Sequence, residues 1–182
     1  MKNQFSKLIV LVMVLSLFLP GRAAAQVEGT TFTILHTNDF HGNLEPAGSN
    51  PGAARVAAVI NAVRDEVGAD NVLLLDAGDE MQGSLLSNLT DGIPTIDYFN
   101  TIGYDAATFG NHEFDWGQTV LADRLEQAQY PFLAANVTME GEGGVCDDTT
   151  WTPATFTPTS GTPITVEPYT FLEVAGVTVG VI

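Results

Sequence analysis

The 182 residues carry 22 acidic against six basic side chains, a formal net charge of −16 at pH 7. Past residue 25 there is no lysine, and the only strong cations are Arg55, Arg64 and Arg124. Such a chain has no basic patch to neutralise a nucleic-acid backbone, which excludes polymeric DNA or RNA as a partner, and any phosphate it holds must be met by something else, divalent cations first of all.

Residues 1–25 read as a secretory signal peptide. Lys2 and Lys7 form a positive start, Leu8 to Leu19 an apolar run too short to span a bilayer comfortably, and Ala23-Ala24-Ala25 a small-residue cleavage site before Gln26. Cleavage removes three cations and no acid, so the net charge falls from −16 to −19. No later segment is apolar enough to cross a membrane. The single cysteine, Cys146, lies in a Gly- and Asp-rich stretch and reads as an inert loop thiol, the alternative being a partner on another chain or beyond Ile182.

Thr31 to Leu35 alternates as a strand does and runs into Asp39. A polar loop follows, and from Ala53 the residues Val56, Val59, Ile60, Val63 and Val67 recur at helical spacing, predicting an amphipathic helix with one face on a sheet. Asn71 to Asp76 is short and continuously apolar up to its last residue, the mark of a strand covered on both faces. Pro94 to Ile102 has helical spacing with Gly103 as its stop, Ala106 to Phe109 reads as a strand, Trp116 to Gln129 as a helix, and Pro131 to Asn136 as a fourth strand. Thr138 to Pro163 reads as an exposed insertion. Ile164 to Val174 and Val177 to Ile182 then predict a hairpin about Ala175-Gly176.

Strands alternating with helices predict an α/β fold with a mostly parallel sheet, whose functional groups gather beyond the carboxyl ends of the strands. Three clusters stand at that place: Asp39-Phe40-His41, Gly78-Asp79-Glu80 and Gly110-Asn111-His112-Glu113-Phe114-Asp115. They offer carboxylates, two imidazoles and an amide oxygen, the donor set of metal-assisted hydrolysis, and two divalent cations about 3.5–4 Å apart with a shared carboxylate would use it. If a helix opens near Glu113, His112 and Asp115 lie on one side of it, so that the carboxylate can orient the ring. His36 reads as a structural histidine, and Glu113 as facing solvent or the helix N-terminus.

Ile34-Leu35-His36-Thr37-Asn38-Asp39-Phe40-His41-Gly42, Gly78-Asp79-Glu80-Met81-Gln82-Gly83-Ser84 and Gly110-Asn111-His112-Glu113-Phe114-Asp115 together resemble the signatures of the secreted 5′-nucleotidase family within the calcineurin-like metallophosphoesterases. The resemblance implies a four-layer α/β/β/α sandwich, of which residues 26–182 would be the N-terminal part of the catalytic domain. It implies two divalent metal ions such as Zn²⁺ or Mn²⁺, with Asp39 and His41 on the first, Asp79 bridging and Asn111 on the second. His112 with Asp115 would be the catalytic dyad. Further histidine ligands and a nucleoside-gripping domain would come from residues beyond Ile182. The implied function is hydrolysis of 5′-nucleotides, with nucleotide sugars as further candidates. The alternatives are a 2′,3′-cyclic nucleotide phosphodiesterase and a non-catalytic secreted metal- or nucleotide-binding protein. Retention of both His112 and Asp115 speaks against the last, since a binder needs no proton-handling pair.

Overall fold

The computed structural model describes residues 29–138 and 152–182, so the expected signal peptide and Cys146 lie outside the described residues. Four strands, β1 (Thr33–Thr37), β2 (Val72–Asp76), β3 (Ala106–Thr108) and β4 (Phe132–Leu133), form one parallel sheet in the order β1-β2-β3-β4. Register places Leu35 beside Leu74 and Ala107 beside Phe132 on one face, with His36, Leu75 and Ala106 aligned on the other.

Three helices connect these strands: α1 (Ala53–Val67), α3 (Ile93–Ile102) and α4 (Gln118–Gln127). The last two pack their apolar sides with Leu74, Ala107 and Phe132, and Ile96, Phe99 and Ala122 are wholly removed from solvent. Each large apolar side chain so buried contributes about 1.5–3 kcal/mol. Phe99 stacks on Tyr104 at 4.1 Å between centroids, in an aromatic cluster that also holds Phe40, Tyr98 and Tyr130. Pro94 and the left-handed Gly103 bracket α3 as expected. Arg64 of α1 donates to the carbonyls of Ile102 and Gly103, a cation at the negative end of that helix.

Several expectations need correction. The stripe on α1 does not pack along its whole length: Ile60 is buried but Val59 is 63% exposed. The reason is topological, since among the described residues β1 is the edge strand and Val59 overhangs it into an apolar groove lined by Leu35, Pro51, Val56 and Leu74. The helix expected from Trp116 begins only at Gln118, because Gly117 at φ 84° interrupts it, and a separate 3₁₀ turn covers His112–Phe114. A one-turn helix, α2 (Leu85–Asn88), capped by Ser84, has no counterpart in the sequence reading.

The described part of the expected insertion is not all exposed. β5 (Thr155–Phe156) pairs antiparallel with β6 (Ile164–Thr165), and Ala154, Phe156 and Val166 join the core under the edges of Phe109 and Phe114. The stretch 164–174 is accordingly two strands, β6 and β7 (Thr170–Val174), because Val166 turns inward and Glu167 bridges to β4. β7 pairs with β8 (Val177–Val181) through Ala175 at φ 51° and Gly176 at φ 74°, the pair of left-handed residues a two-residue hairpin turn demands. Among the described residues no helix is long and apolar enough to cross a membrane.

Candidate active site

The loops after β1, β2 and β3 carry the three clusters, and the backbone welds them together. Asp39 N–H donates to Gly78 O at 3.0 Å, His41 N–H to Asp79 O at 2.9 Å, and Gly42 N–H to Glu80 O at 2.7 Å, which continues the β1–β2 pairing past the strand ends. Asp39, His41 and Asp79 all sit at positive φ, 52°, 51° and 59°. Three non-glycine residues in the left-handed region within two adjoining loops is strain held by its surroundings, a condition that clusters at functional sites.

Two glycines make the approach of the second and third loops possible. A Cβ on Gly78 would fall 2.2 Å from the Gly110 nitrogen, and one on Gly110 would fall 2.1 Å from Asp79 Oδ1. With both positions bare, His112 N–H reaches Asp79 Oδ1 at 2.8 Å.

Both candidate imidazoles are oriented through Nδ1. His41 Nδ1 lies 2.8 Å from the Gln82 carbonyl, which can only accept, so that nitrogen holds the proton and Nε2 presents its lone pair. His112 Nδ1 lies 2.6 Å from Asp115 Oδ2, leaving Nε2 on the open side of the ring. The hydrogen bond that the ring donates to Asp115 raises the proton affinity of His112 above that of an ordinary histidine, with smaller contributions from the charges of Asp115, Asp79 and Glu113. The two rings meet edge to face at 5.2 Å.

His41, Asp79 and His112 each place a ligand atom within 4.8 Å of the others. Two imidazole nitrogens and a carboxylate suit a borderline or hard divalent cation, so the donor chemistry fits the expected metals. Asp39 flanks this trio, its Oδ1 3.7 Å from His41 Nε2 and its side chain 60% exposed. Asn111 stands exposed at the head of the 3₁₀ turn, beside His112. His36 is not brought into the trio; it lines a groove with Leu75, Val181 and Ile182 on the opposite side of the sheet from α1.

Beneath the trio lie three buried carboxylates whose roles the sequence reading missed. Burial pushes Asp76 up to about 7, against hydrogen bonds from Thr37 and the Gly78 N–H that favour its charged form. Glu80, with no exposure, accepts from the Tyr130 hydroxyl at 3.1 Å, and burial drives it strongly toward its neutral form. Glu113 is 1% exposed, which corrects the expectation that it faces solvent. A faint signal was present: with so few cations available, a buried carboxylate in this chain has to be satisfied by N–H and O–H donors.

Residues 32–166 match the calcineurin-like phosphoesterase family. The chain is 37% identical over 164 residues to the trifunctional nucleotide phosphoesterase protein YfkN of Bacillus subtilis, covering 82% of this chain and 11% of that protein. It is 37% identical over 143 residues to the 5′-nucleotidase of Mus musculus, covering 72% and 24%. Among solved structures it resembles the 5′-nucleotidase precursor of Thermus thermophilus, at a TM-score of 0.60 and 33% identity over 81% of this chain and 27% of the other. It also resembles the NAD nucleotidase of Haemophilus influenzae, at a TM-score of 0.60 and 28% identity over 81% and 25%. The chain thus spans about a quarter or less of the length of these relatives.

Proposed function

The chain belongs to the calcineurin-like phosphoesterases, and from that we propose that residues 26–182 are the N-terminal part of the catalytic domain of an exported enzyme that hydrolyses nucleoside 5′-monophosphates to nucleoside and phosphate. The observation that carries this is the convergence of His41, Asp79 and His112 at three successive strand ends, with ligand atoms inside 4.8 Å.

In this reading Asp39 and His41 hold one divalent cation, Asp79 is shared, and Asn111 serves the second, with further ligands from residues beyond Ile182. Bound there, the cations would activate water and offset the negative charge of the phosphoryl group. What these residues add is orientation. Gln82 O fixes the tautomer of His41, the His112 N–H holds one lobe of the Asp79 carboxylate, and Asp115 keeps the His112 ring turned with Nε2 outward. With its proton affinity raised by Asp115, His112 can donate a hydrogen bond to a phosphoryl oxygen, or a proton to the departing nucleoside oxygen as the P–O bond breaks.

The substrate assignment rests on Asp115 and the Asp115-Trp116-Gly117 run in which the third cluster ends, and it accords with the 5′-nucleotidase and nucleotide phosphoesterase relatives. For the full-length enzyme, kcat/KM on a nucleoside 5′-monophosphate should exceed that on a 2′,3′-cyclic nucleotide at equal metal concentration. The opposite order would replace this reading with the cyclic phosphodiesterase. Export is tested separately: N-terminal sequencing of the secreted protein should begin at Gln26, and a retained Met1 or Lys2 would contradict it.

A further inference from the structure

We infer that Glu113 is the positioning residue that sets the Asp79 loop against the Asn111–His112 loop, and so fixes the spacing of the metal-binding side chains before any cation arrives. Its side chain is 1% exposed, and its carboxylate takes three backbone donors. Oε2 accepts the N–H of Asp79 at 2.9 Å and that of Gly110 at 2.6 Å, while Oε1 accepts the N–H of Glu80 at 2.8 Å. Two of the donors lie in the loop after β2 and the third in the loop after β3, so one side chain bridges both.

The bridge is needed for two reasons. Asp79 is held at φ 59°, a conformation that persists only where the surroundings impose it. Among the described residues, the other side-chain hydrogen bond between these loops, His112 N–H to Asp79 Oδ1 at 2.8 Å, uses the ligand carboxylate itself. Burial also matters, because Glu113 is 1% exposed and no lysine or arginine among the described residues pairs with it. Its two oxygens are met instead by three backbone N–H donors. The amide of a Glu113→Gln variant keeps the shape but sets an NH₂ among those donors, leaving one oxygen for all three.

This inference rests on the metal-site reading above, and its test separates the two. In the full-length enzyme, Mn²⁺ affinity measured by equilibrium dialysis on the folded fraction should fall roughly 10–100-fold in Glu113→Gln, the usual effect of losing a group that orients ligands. Turnover should return toward wild type as Mn²⁺ is raised to saturation. A residue that served stability alone would lower the folded fraction and leave the affinity of what remains unchanged. A second measurement needs no variant: in the metal-stripped wild-type protein, the amide hydrogens of Asp79, Glu80 and Gly110 should exchange as slowly as those of the core strands. Equal Mn²⁺ affinity in wild type and Glu113→Gln, or free exchange of those three amides in the metal-stripped protein, overturns the bridge. Failure of the wild-type enzyme to bind Mn²⁺ at all would instead overturn the metal-site reading.

Discussion

Gly78→Ala should lower both stability and metal binding, although it adds a single methyl group at a residue with no chemistry of its own. The new Cβ would lie 2.2 Å from the Gly110 nitrogen and 2.7 Å from the Phe109 carbonyl carbon, backbone atoms that cannot rotate aside. Position 78 also sits at φ 96°, where an L side chain is strained. Left-handed strain of about 1–2 kcal/mol and overpacking of about 1–3 kcal/mol act together, so a loss of roughly 3 kcal/mol is expected against a total stability of about 5–15 kcal/mol. The relief available is to part the two loops, and that separates Asp79 from His112. Denaturant unfolding and metal analysis of full-length Gly78→Ala test this, with Gly29→Ala, which meets nothing within 4 Å, as the silent control. Wild-type stability and metal content in Gly78→Ala would mean that the loops do not pack as described.

The second large effect concerns His112. Replacing it with Asn in the full-length enzyme should lower kcat by roughly 10²–10⁴-fold while the metals stay bound, the size of a lost acid–base contribution. The hydrogen bond at 2.6 Å to Asp115 commits Nδ1, so the working atom is Nε2. Asp115→Asn should cost less, because the imidazole remains and loses only its orienting and charge-stabilising partner. A ring nitrogen of the same residue lies within 4.8 Å of donor atoms of His41 and Asp79, which makes a ligand role for His112 the rival assignment. Metal analysis and kinetics on the same samples separate the two. Metal lost in proportion to activity in His112→Asn makes the residue a ligand and ends the dyad assignment.

These two substitutions show how differently the residues could be read from the chain alone. His112 was legible because its chemistry is carried by residue type and local spacing: the 3₁₀ turn at 112–114 brings position 115 back beneath it whatever the rest of the fold does. Gly78 was not, because its importance is a distance to a residue 32 positions away. Glu113 was misread for a related reason. A carboxylate near a helix start usually faces water or the helix dipole, and only the approach of the second loop supplies the N–H groups that make its burial tolerable.

The sequence by itself determined the alternation of strands and helices, the parallel sheet, and the ordered clusters at Asp39–His41, Gly78–Glu80 and Gly110–Asp115, all set by periodicity and short-range composition. Tertiary structure alone decided the rest. Val59 lies open because β1 is an edge among the described residues, Phe156 and Val166 are buried because the segment before the final hairpin folds back under α4 and Phe109, and Asp76, Glu80 and Glu113 sit beneath the site where burial holds the first two toward their neutral forms. The physical division is one of range. Local sequence specifies which groups a turn presents, whereas burial, close backbone approach and the environment of a carboxylate depend on which distant segments the folded chain sets beside it.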